Sequence, residues 1–336
     1  MKKTRIFIVN DNTWKEHNRV GIAAINDPLT THPNNRQANA QRQSAIAEIS
    51  GIRPGDILLF NRMVSEKHPP ELIGIFEATS KPYFDPSPLF PGAKYVNKTL
   101  PFRVEFKCIH NFQNPINIDE IWALRDEGKV WTLQQSRGDA VGRHACVGIT
   151  KMEAKCIERL LKANNIVEGP EIHYQKPIKK RNPLPIEFRT DRQGQLHYEA
   201  ALQALLLEDF ADGRHKELFG NYDDFIANVP TGARKEIDIL LLKYNGDDIL
   251  WYQILELKHY KFTMQELQKL ISYEKWIIRT RARNPLQVHP VAVASDFNDN
   301  VLDFVKRRRD YKERPIRLIK YYFHEKTKTL DLKEVK

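Results

Sequence analysis

The chain has 336 residues, 53 Lys and Arg against 43 Asp and Glu, a net charge of +10 at pH 7, and 41% hydrophobic residues. That length supports about two domains, each able to bury its own core, and excludes a small scaffold stapled by disulfides or metal. Cys108, Cys146 and Cys156 form no C-x-x-C pair, which argues against a structural zinc site and a disulfide framework and makes a reducing cytoplasm the default. The apolar stretch Ile6 to Val9 behind Met-Lys-Lys-Thr-Arg is too short for a signal sequence, and no apolar run is long enough to span a membrane.

The first half reads as short strands separated by turns. Ile6 to Val9 is a strand, followed by the polar run Asn-Asp-Asn-Thr-Trp with Trp14 in it. Asn26 to Gln43 has no clear period and is taken as a loop. Arg53-Pro54-Gly55-Asp56 is a turn into the strand Ile57 to Phe60; Leu72 to Ala78 and Phe102 to Cys108 are two more strands, with Pro82-Tyr83-Phe84-Asp85 between them. This pattern suggests a small barrel with Phe60, Phe76 and Phe102 in its core. Trp122 lies in Ile-Asp-Glu-Ile-Trp-Ala-Leu, with apolar neighbours at helical spacing, and Trp131 opens the run ending in Ser136-Arg137-Gly138. A helix from Lys151 to Leu161 closes the half, with Thr150 as N-cap and Glu153 at capping-box spacing.

The Pro-Gly-Asp-strand-Phe element, the Gly-Ile-Phe-Glu-Ala-Thr-Ser-Lys-Pro-Tyr-Phe-Asp stretch, the late Trp and the closing Ile-Thr-x-x-Glu helix together resemble the EVE domain, of the PUA-like and YTH-like barrel group. The resemblance covers about residues 3–165 and implies a reader of modified bases. An extruded base must recover its stacking on aromatic faces and find polar partners for its edge. Trp14, Trp122 and Trp131 are candidate walls, and Asn10, Asn12, Ser136 and Arg137 candidate edge or phosphate contacts. For each Trp, burial in the core is the competing reading.

Residues 166–185, containing Lys176, Lys179, Lys180 and Arg181 among prolines, lack periodicity and read as a basic linker. Beyond it, His-Tyr-Glu-Ala-Ala-Leu-Gln-Ala-Leu-Leu-Leu-Glu-Asp-Phe is helical, with Glu199 one turn before Leu202 and Gln203. Ile237 to Tyr244 and Ile249 to Leu257 read as antiparallel strands around the Asn-Gly-Asp-Asp turn. Pairing outward from that turn sets Asp238 opposite residue 255 or 256, and strand alternation gives Glu256 and Lys258 one face. Close carboxylates repel unless a cation lies between them, and hard oxygen ligands suit Mg²⁺ or Mn²⁺. The tripeptide by itself says little: acid-x-Lys recurs at Glu105 to Lys107, Glu153 to Lys155 and Asp331 to Lys333, as expected with 29% charged residues. What sets Glu256 to Lys258 apart is the apolar strand it ends and the strand-borne Asp one hairpin upstream. The alternative is an amphipathic hairpin with charges on its wet face. Thr263 to Arg279 is again helical, Val288 to Ser295 is a buried strand, and Lys306 to Arg309 with Lys312, Arg314, Arg317 and Lys320 form a second basic cluster.

Helix Glu, strand Asp and strand Glu-x-Lys in this order resemble the PD-(D/E)xK nuclease superfamily over about residues 186–336, although Lys235-Glu236-Ile237 replaces a Pro before the Asp. The resemblance implies Asp238, Glu256 and the Leu257 carbonyl as metal ligands, Glu199 holding a second ion or a bound water, and Lys258 orienting or deprotonating the attacking water. Gln268 is the candidate functional Gln on the following helix, with Gln265 second.

The expected fold class is therefore α+β and α/β in two domains: a PUA-like EVE β-barrel with helices over residues 1–165, and a restriction-endonuclease-like mixed sheet flanked by helices over 186–336. Excess positive charge favours a polyanionic partner. A reader fused to a metal nuclease is similar to modification-dependent restriction endonucleases, which implies DNA with modified bases as partner, Mg²⁺ as cofactor with Mn²⁺ substituting, and a homodimer where both strands are cut. Two alternatives stay open: a nuclease acting on RNA or branched DNA, and a nucleic-acid-binding protein without catalysis.

Overall fold

The computed structural model describes residues 2–30, 35–66, 68–89, 99–133, 144–174, 180–188, 190, 195–231 and 235–335, and divides the chain into two units, Met1–Pro185 and Ile186–Lys336.

In the first unit β1 (Thr4–Val9) leads into α1 (Asp11–Val20), then β2 (Ile22–Ile25), α2 (Arg36–Ser50), β3 (Ile57–Arg62), β4 (Glu71–Ala78), β5 (Tyr83–Phe84), β6 (Phe102–His110), β7 (Ile116–Asn117), α3 (Ile118–Asp126), β8 (Cys146–Ile149) and α4 (Lys151–Asn164). The main path of the sheet is β2-β6-β4-β3-β1-β8, with β5 on β6 and β7 on β4. It is a curled half-barrel; the expected small barrel is not closed, since β2 and β8, which end the path, do not pair with each other among the described residues. Phe60, Phe76 and Phe102 are buried as expected.

The segment Asn26 to Gln43 is not all loop. Asn35 accepts hydrogen bonds from the backbone N–H groups of Gln37 and Ala38 and starts α2, whose run of Ala, Gln, Arg and Glu favours a helix without a strong apolar stripe. Nor does the expected linker run free. Gly169 N donates to the Asn111 carbonyl at 2.8 Å, Tyr174 packs edge-on against Phe106, and Phe84 and Asn182 exchange backbone hydrogen bonds, so the described part of this stretch is tied to the first unit.

The capping box expected at Thr150 is present and does more than cap. Glu153, fully buried, accepts from Thr150 N at 2.7 Å, from Thr132 N at 2.6 Å and from Trp131 N, joining α4 to the segment before β8. Glu153→Ala leaves these buried donors without their acceptor, and the first unit should lose roughly 3 kcal/mol or more. Urea unfolding reads this directly; a loss below about 1 kcal/mol would mean that the network carries little.

His17 is buried on α1 and donates through Nδ1 to the Ile22 carbonyl at 2.7 Å. Burial pushes its pKa down to about 4. The fold therefore holds it neutral, while the unfolded chain protonates near the ordinary value of 6.5. Its contribution is fully present above about pH 6.5 and is lost as pH falls toward about 4, on the order of 3 kcal/mol. A His17→Gln variant should lack this part of the acid sensitivity in unfolding curves at pH 7 and pH 4.5; an unchanged difference between the two pH values would refute the assignment.

The second unit contains α5 (Glu199–Ala211), the short α6 (Lys216–Phe219), β9 (Asp224–Pro230), β10 (Glu236–Asn245), β11 (Asp248–Phe262), α7 (Met264–Thr280), β12 (Val288–Phe297), α8 (Asp299–Asp310), β13 (Arg317–His324) and β14 (Thr329–Glu334). Its mixed sheet runs β14-β13-β12-β11-β10-β9. The hairpin β10-β11 is antiparallel around Gly246-Asp247, where Gly246 takes a left-handed φ of 62°. β11, β12 and β13 are parallel, with α7 and α8 as the crossovers.

Leu202, Leu205, Leu206 and Phe210 of α5 pack on Ile239, Leu241, Leu255, Leu257, Val291 and Val293 of the sheet. These odd-numbered strand residues share one face, so alternation sends Asp238 and Glu256 to the other. Nine of the thirteen residues of α5 are buried and the other four half-buried, which makes it a rigid support for whatever its first turn presents.

Candidate functional site

Asp238 interrupts the otherwise apolar run Ile237 to Leu242 of β10. The register pairs Ile239 with Leu255, so Asp238 stands level with Glu256, and its Oδ2 accepts from the Leu257 backbone N at 2.7 Å. Opposite it on β9 is Asn228, with φ 55° in the left-handed region that Asn tolerates. The Gln203 side-chain amide of α5 donates to the Asp238 carbonyl at 2.8 Å and to Asn228 Oδ1 at 3.0 Å, fixing the Asp from behind.

Glu199, one turn before Gln203, reaches the same point. Lys258 Nζ donates to Glu199 Oε2 at 2.9 Å and to the Leu257 carbonyl at 2.7 Å, and lies 3.1 Å from Glu256 Oε1. Lys269 Nζ of α7 approaches that same oxygen at 2.8 Å. Glu256 is 0% exposed at the floor of the site, whereas the side chains of Glu199 and Lys269 are 35% and 31% exposed at its rim. The other oxygen of Glu256, Oε2, is buried without a hydrogen-bond partner among the described residues.

The electrostatics follow from this crowding. Burial first, and then the charge of Asp238, pushes the carboxyls of Glu199 and Glu256 up to about 7. Burial also raises Asp238, against the pull of Lys258 and Lys269. Burial would lower the two lysines, but Asp238 and Glu256 outweigh it and hold both above the ordinary lysine range, Glu199 adding to the effect at Lys258. Such carboxylates ionise fully near neutral pH only when further positive charge enters among them.

The donor set suits a hard divalent cation: the orphaned Glu256 Oε2, the Asp238 carboxylate and the Leu257 carbonyl are all oxygen. No group of three or more His, Cys, Asp or Glu among the described residues is arranged as a metal cluster, and the Lys258 ammonium lies between Glu199 and Glu256.

Asp238, Glu256, Lys258 and Glu199 thus come together in the structure. Gln265 and Gln268 are exposed on α7, and the residue of that helix that touches the carboxylates is Lys269. Gln203 and Lys269 were not singled out from sequence. Gln203 had a signal, its four-residue spacing from Glu199 on one helical face; Lys269 had none stronger than its place between Leu267 and Leu270.

In the first unit the three tryptophans take separate positions. Trp14 packs against Phe60 and Phe76 at centroid distances of 4.8 and 5.8 Å, is 8% exposed, and borders a cleft of about 210 Å³ with Asn18, Arg62, Gly74 and Phe112. Trp122 lies half-buried on α3 against Ile118, Ile121 and their cluster, under the Arg125 guanidinium. Trp131 is buried, its backbone held by Glu153. Asn10 caps α1 through Thr13 N at 2.9 Å, and Asn12 is exposed in the first turn. Ser136 and Arg137 lie outside the described residues.

The second basic cluster is partly consumed by the fold. Arg308 is buried against Glu274, Arg314 approaches the same carboxylate at 3.4 Å, Arg317 pairs with Glu334 and Lys320 with Asp296. Lys306, Arg307, Arg309 and Lys312 are exposed. Of the linker cluster, Lys180 is exposed and Arg181 pairs with Glu105, while Lys176 and Lys179 lie outside the described residues. No helix among the described residues is long and apolar enough to cross a membrane.

Residues 33–160 match the EVE domain family, so the N-terminal unit carries an EVE domain, PUA-like in class. A curated relative, the UPF0310 protein PH1033 of Pyrococcus horikoshii, is 35% identical over 78 residues, 22% of this chain and 49% of its own. The chain thus spans about half the length of that relative. Among solved structures, human THYN1 in complex with 5-methylcytosine-containing DNA is similar over 48% of this chain and 98% of its own, at 12% identity and a TM-score of 0.29. A repair endonuclease from Pyrococcus abyssi is similar over 32% of this chain and 42% of its own, at 13% identity and a TM-score of 0.24.

Proposed function

We propose that this chain is a modification-dependent DNA endonuclease of the PD-(D/E)xK kind, in which the EVE domain flips and holds a modified base and the second unit hydrolyses a phosphodiester with Mg²⁺, Mn²⁺ substituting. The observation that carries the catalytic part is the buried Glu256 Oε2, without a hydrogen-bond partner among the described residues, on a residue that stands level with Asp238 across the hairpin. A wet-face hairpin has no reason to bury a carboxylate and leave half of it unmet. The EVE domain favours a modified base as the feature read, and the net charge of +10 favours a polyanion.

Asp238, Glu256 and the Leu257 carbonyl would hold the ion. When bound it lowers the pKa of water and neutralises charge developing on the phosphate. The chain's own residues do the rest. Lys258, protonated, orients the attacking water rather than deprotonating it. Glu199, with Oε2 on Lys258 Nζ and its side chain open at the rim, takes the proton of that water. Gln203 keeps Asp238 in register. Cutting both strands takes two nuclease units, so the acting species is a homodimer.

Plasmids of defined methylation state, incubated with protein and Mg²⁺ beside a Glu256→Ala variant, test this. Cleavage confined to modified DNA and absent in the variant is expected; binding without cleavage under Mg²⁺ and Mn²⁺ would sink the nuclease reading.

A further inference from the structure

We infer that the site takes a single divalent ion per chain, with the Lys269 ammonium standing in the place of a second one. This rests on the metal-dependent reading above and concerns how many ions it uses.

Glu256 Oε1 faces two ammonium groups, Lys269 Nζ at 2.8 Å and Lys258 Nζ at 3.1 Å, while Oε2 has no hydrogen-bond partner among the described residues. One oxygen of the central carboxylate is therefore committed to lysines and one is left for an ion. Charge decides the same way. Three ionised carboxylates and two ammoniums sum to −1; one divalent ion brings the site to +1, which a single phosphate neutralises. Two ions would bring it to +3 around a fully buried carboxylate, and like charges at these separations in a low-dielectric site cost far more than the remaining oxygens return.

Lys269 is placed for this by its helix. The Thr263–Glu266 capping box sets the start of α7, Leu267 and Leu270 anchor it in the core, and Lys269 leans over the Tyr273 ring, 5.4 Å from its centroid, toward Glu256. Its side chain is 31% exposed, so the same ammonium that contacts Glu256 can meet a phosphate oxygen entering from the rim. In this role it is a positioning and charge-neutralising residue of the site.

Counting bound Mn²⁺ on the full-length protein without nucleic acid, by titration calorimetry and by the loss of the free-ion EPR signal, tests the inference apart from cleavage. One ion per chain is expected for the unaltered protein. Lys269→Met removes a positive charge beside the ion and should bind Mn²⁺ at least about tenfold more tightly or admit a second ion, while Lys269→Arg should keep the original count and affinity. Circular dichroism establishes that each variant is folded, and Lys269→Gln replaces the Met variant if that one is not. Two ions in the unaltered protein would overturn the inference and leave the nuclease reading standing. Unchanged affinity and count in the charge-removing variant would also overturn it. No ion bound at all would overturn both.

Discussion

Glu256→Gln is expected to lower Mg²⁺-dependent cleavage by about 10³-fold or more while leaving the protein folded and able to bind DNA. Gln keeps the volume of a fully buried side chain, and its Oε1 still accepts from Lys269, so the floor of the site is not opened. What is lost is the ionised Oε2, the oxygen without a hydrogen-bond partner among the described residues. Because burial and Asp238 already push this carboxyl up to about 7, the neutral amide costs the resting protein little at neutral pH. Glu256→Ala is the harsher change, since it leaves a cavity and deprives Lys258 and Lys269 of a shared partner. Single-turnover cleavage together with thermal unfolding separates the two effects. Cleavage within tenfold of the unaltered protein, on a folded Gln variant, would remove Glu256 from the chemistry.

Arg308→Met is expected to destabilise the second unit by about 3–5 kcal/mol, the largest stability effect foreseen for a single change in that unit. Arg308 is 8% exposed and donates through Nη2 to both oxygens of Glu274, at 2.8 and 3.0 Å, on a carboxylate that is itself 1% exposed. Removing the guanidinium leaves a buried charge with Arg314 beside it at 3.4 Å. Removing both partners, as in Glu274→Leu with Arg308→Met, should restore most of the loss, because neither charge then remains to be desolvated. Urea midpoints of the two variants measure this. Equal losses in the single and double variants would show that packing of α8 on α7, rather than the ion pair, holds the contact. The pair also explains why a run of four basic residues, Lys306 to Arg309, is not all available to a polyanion: helical geometry turns one of the four inward.

Much of the second unit was legible from residue order alone, because its signals are local. The Asn-Gly turn and the apolar strands on either side of it set the hairpin, and strand alternation placed Glu256 and Lys258 on the face of Asp238. The α5 period and the buried strand β12 were equally readable. Gln268 was expected to be functional from resemblance rather than from any physical signal in the helix, and the structure brings in its neighbour Lys269 instead. A rotation of one residue on a helix moves a side chain by about 100°, and sequence period does not fix the phase of α7 against a sheet to that precision.

The first unit shows the opposite balance. Its strands were legible, but Asn26 to Gln43 concealed α2, whose stability comes from its Asn35 cap and helix-favouring residues rather than an apolar stripe. The three tryptophans, alike in sequence as large aromatics, fall in three different environments.

The sequence by itself determined the hairpin, the one face shared by Asp238, Glu256 and Lys258, and the EVE character of the N-terminal half. Each depends on spacing within an element or on a short turn. Only tertiary structure decided that Glu199 and Lys269 approach that group from two separate helices, that Gln203 braces it, and that Arg308 is buried. Those outcomes depend on which helix face meets the sheet, a choice made by packing residues distant in the chain.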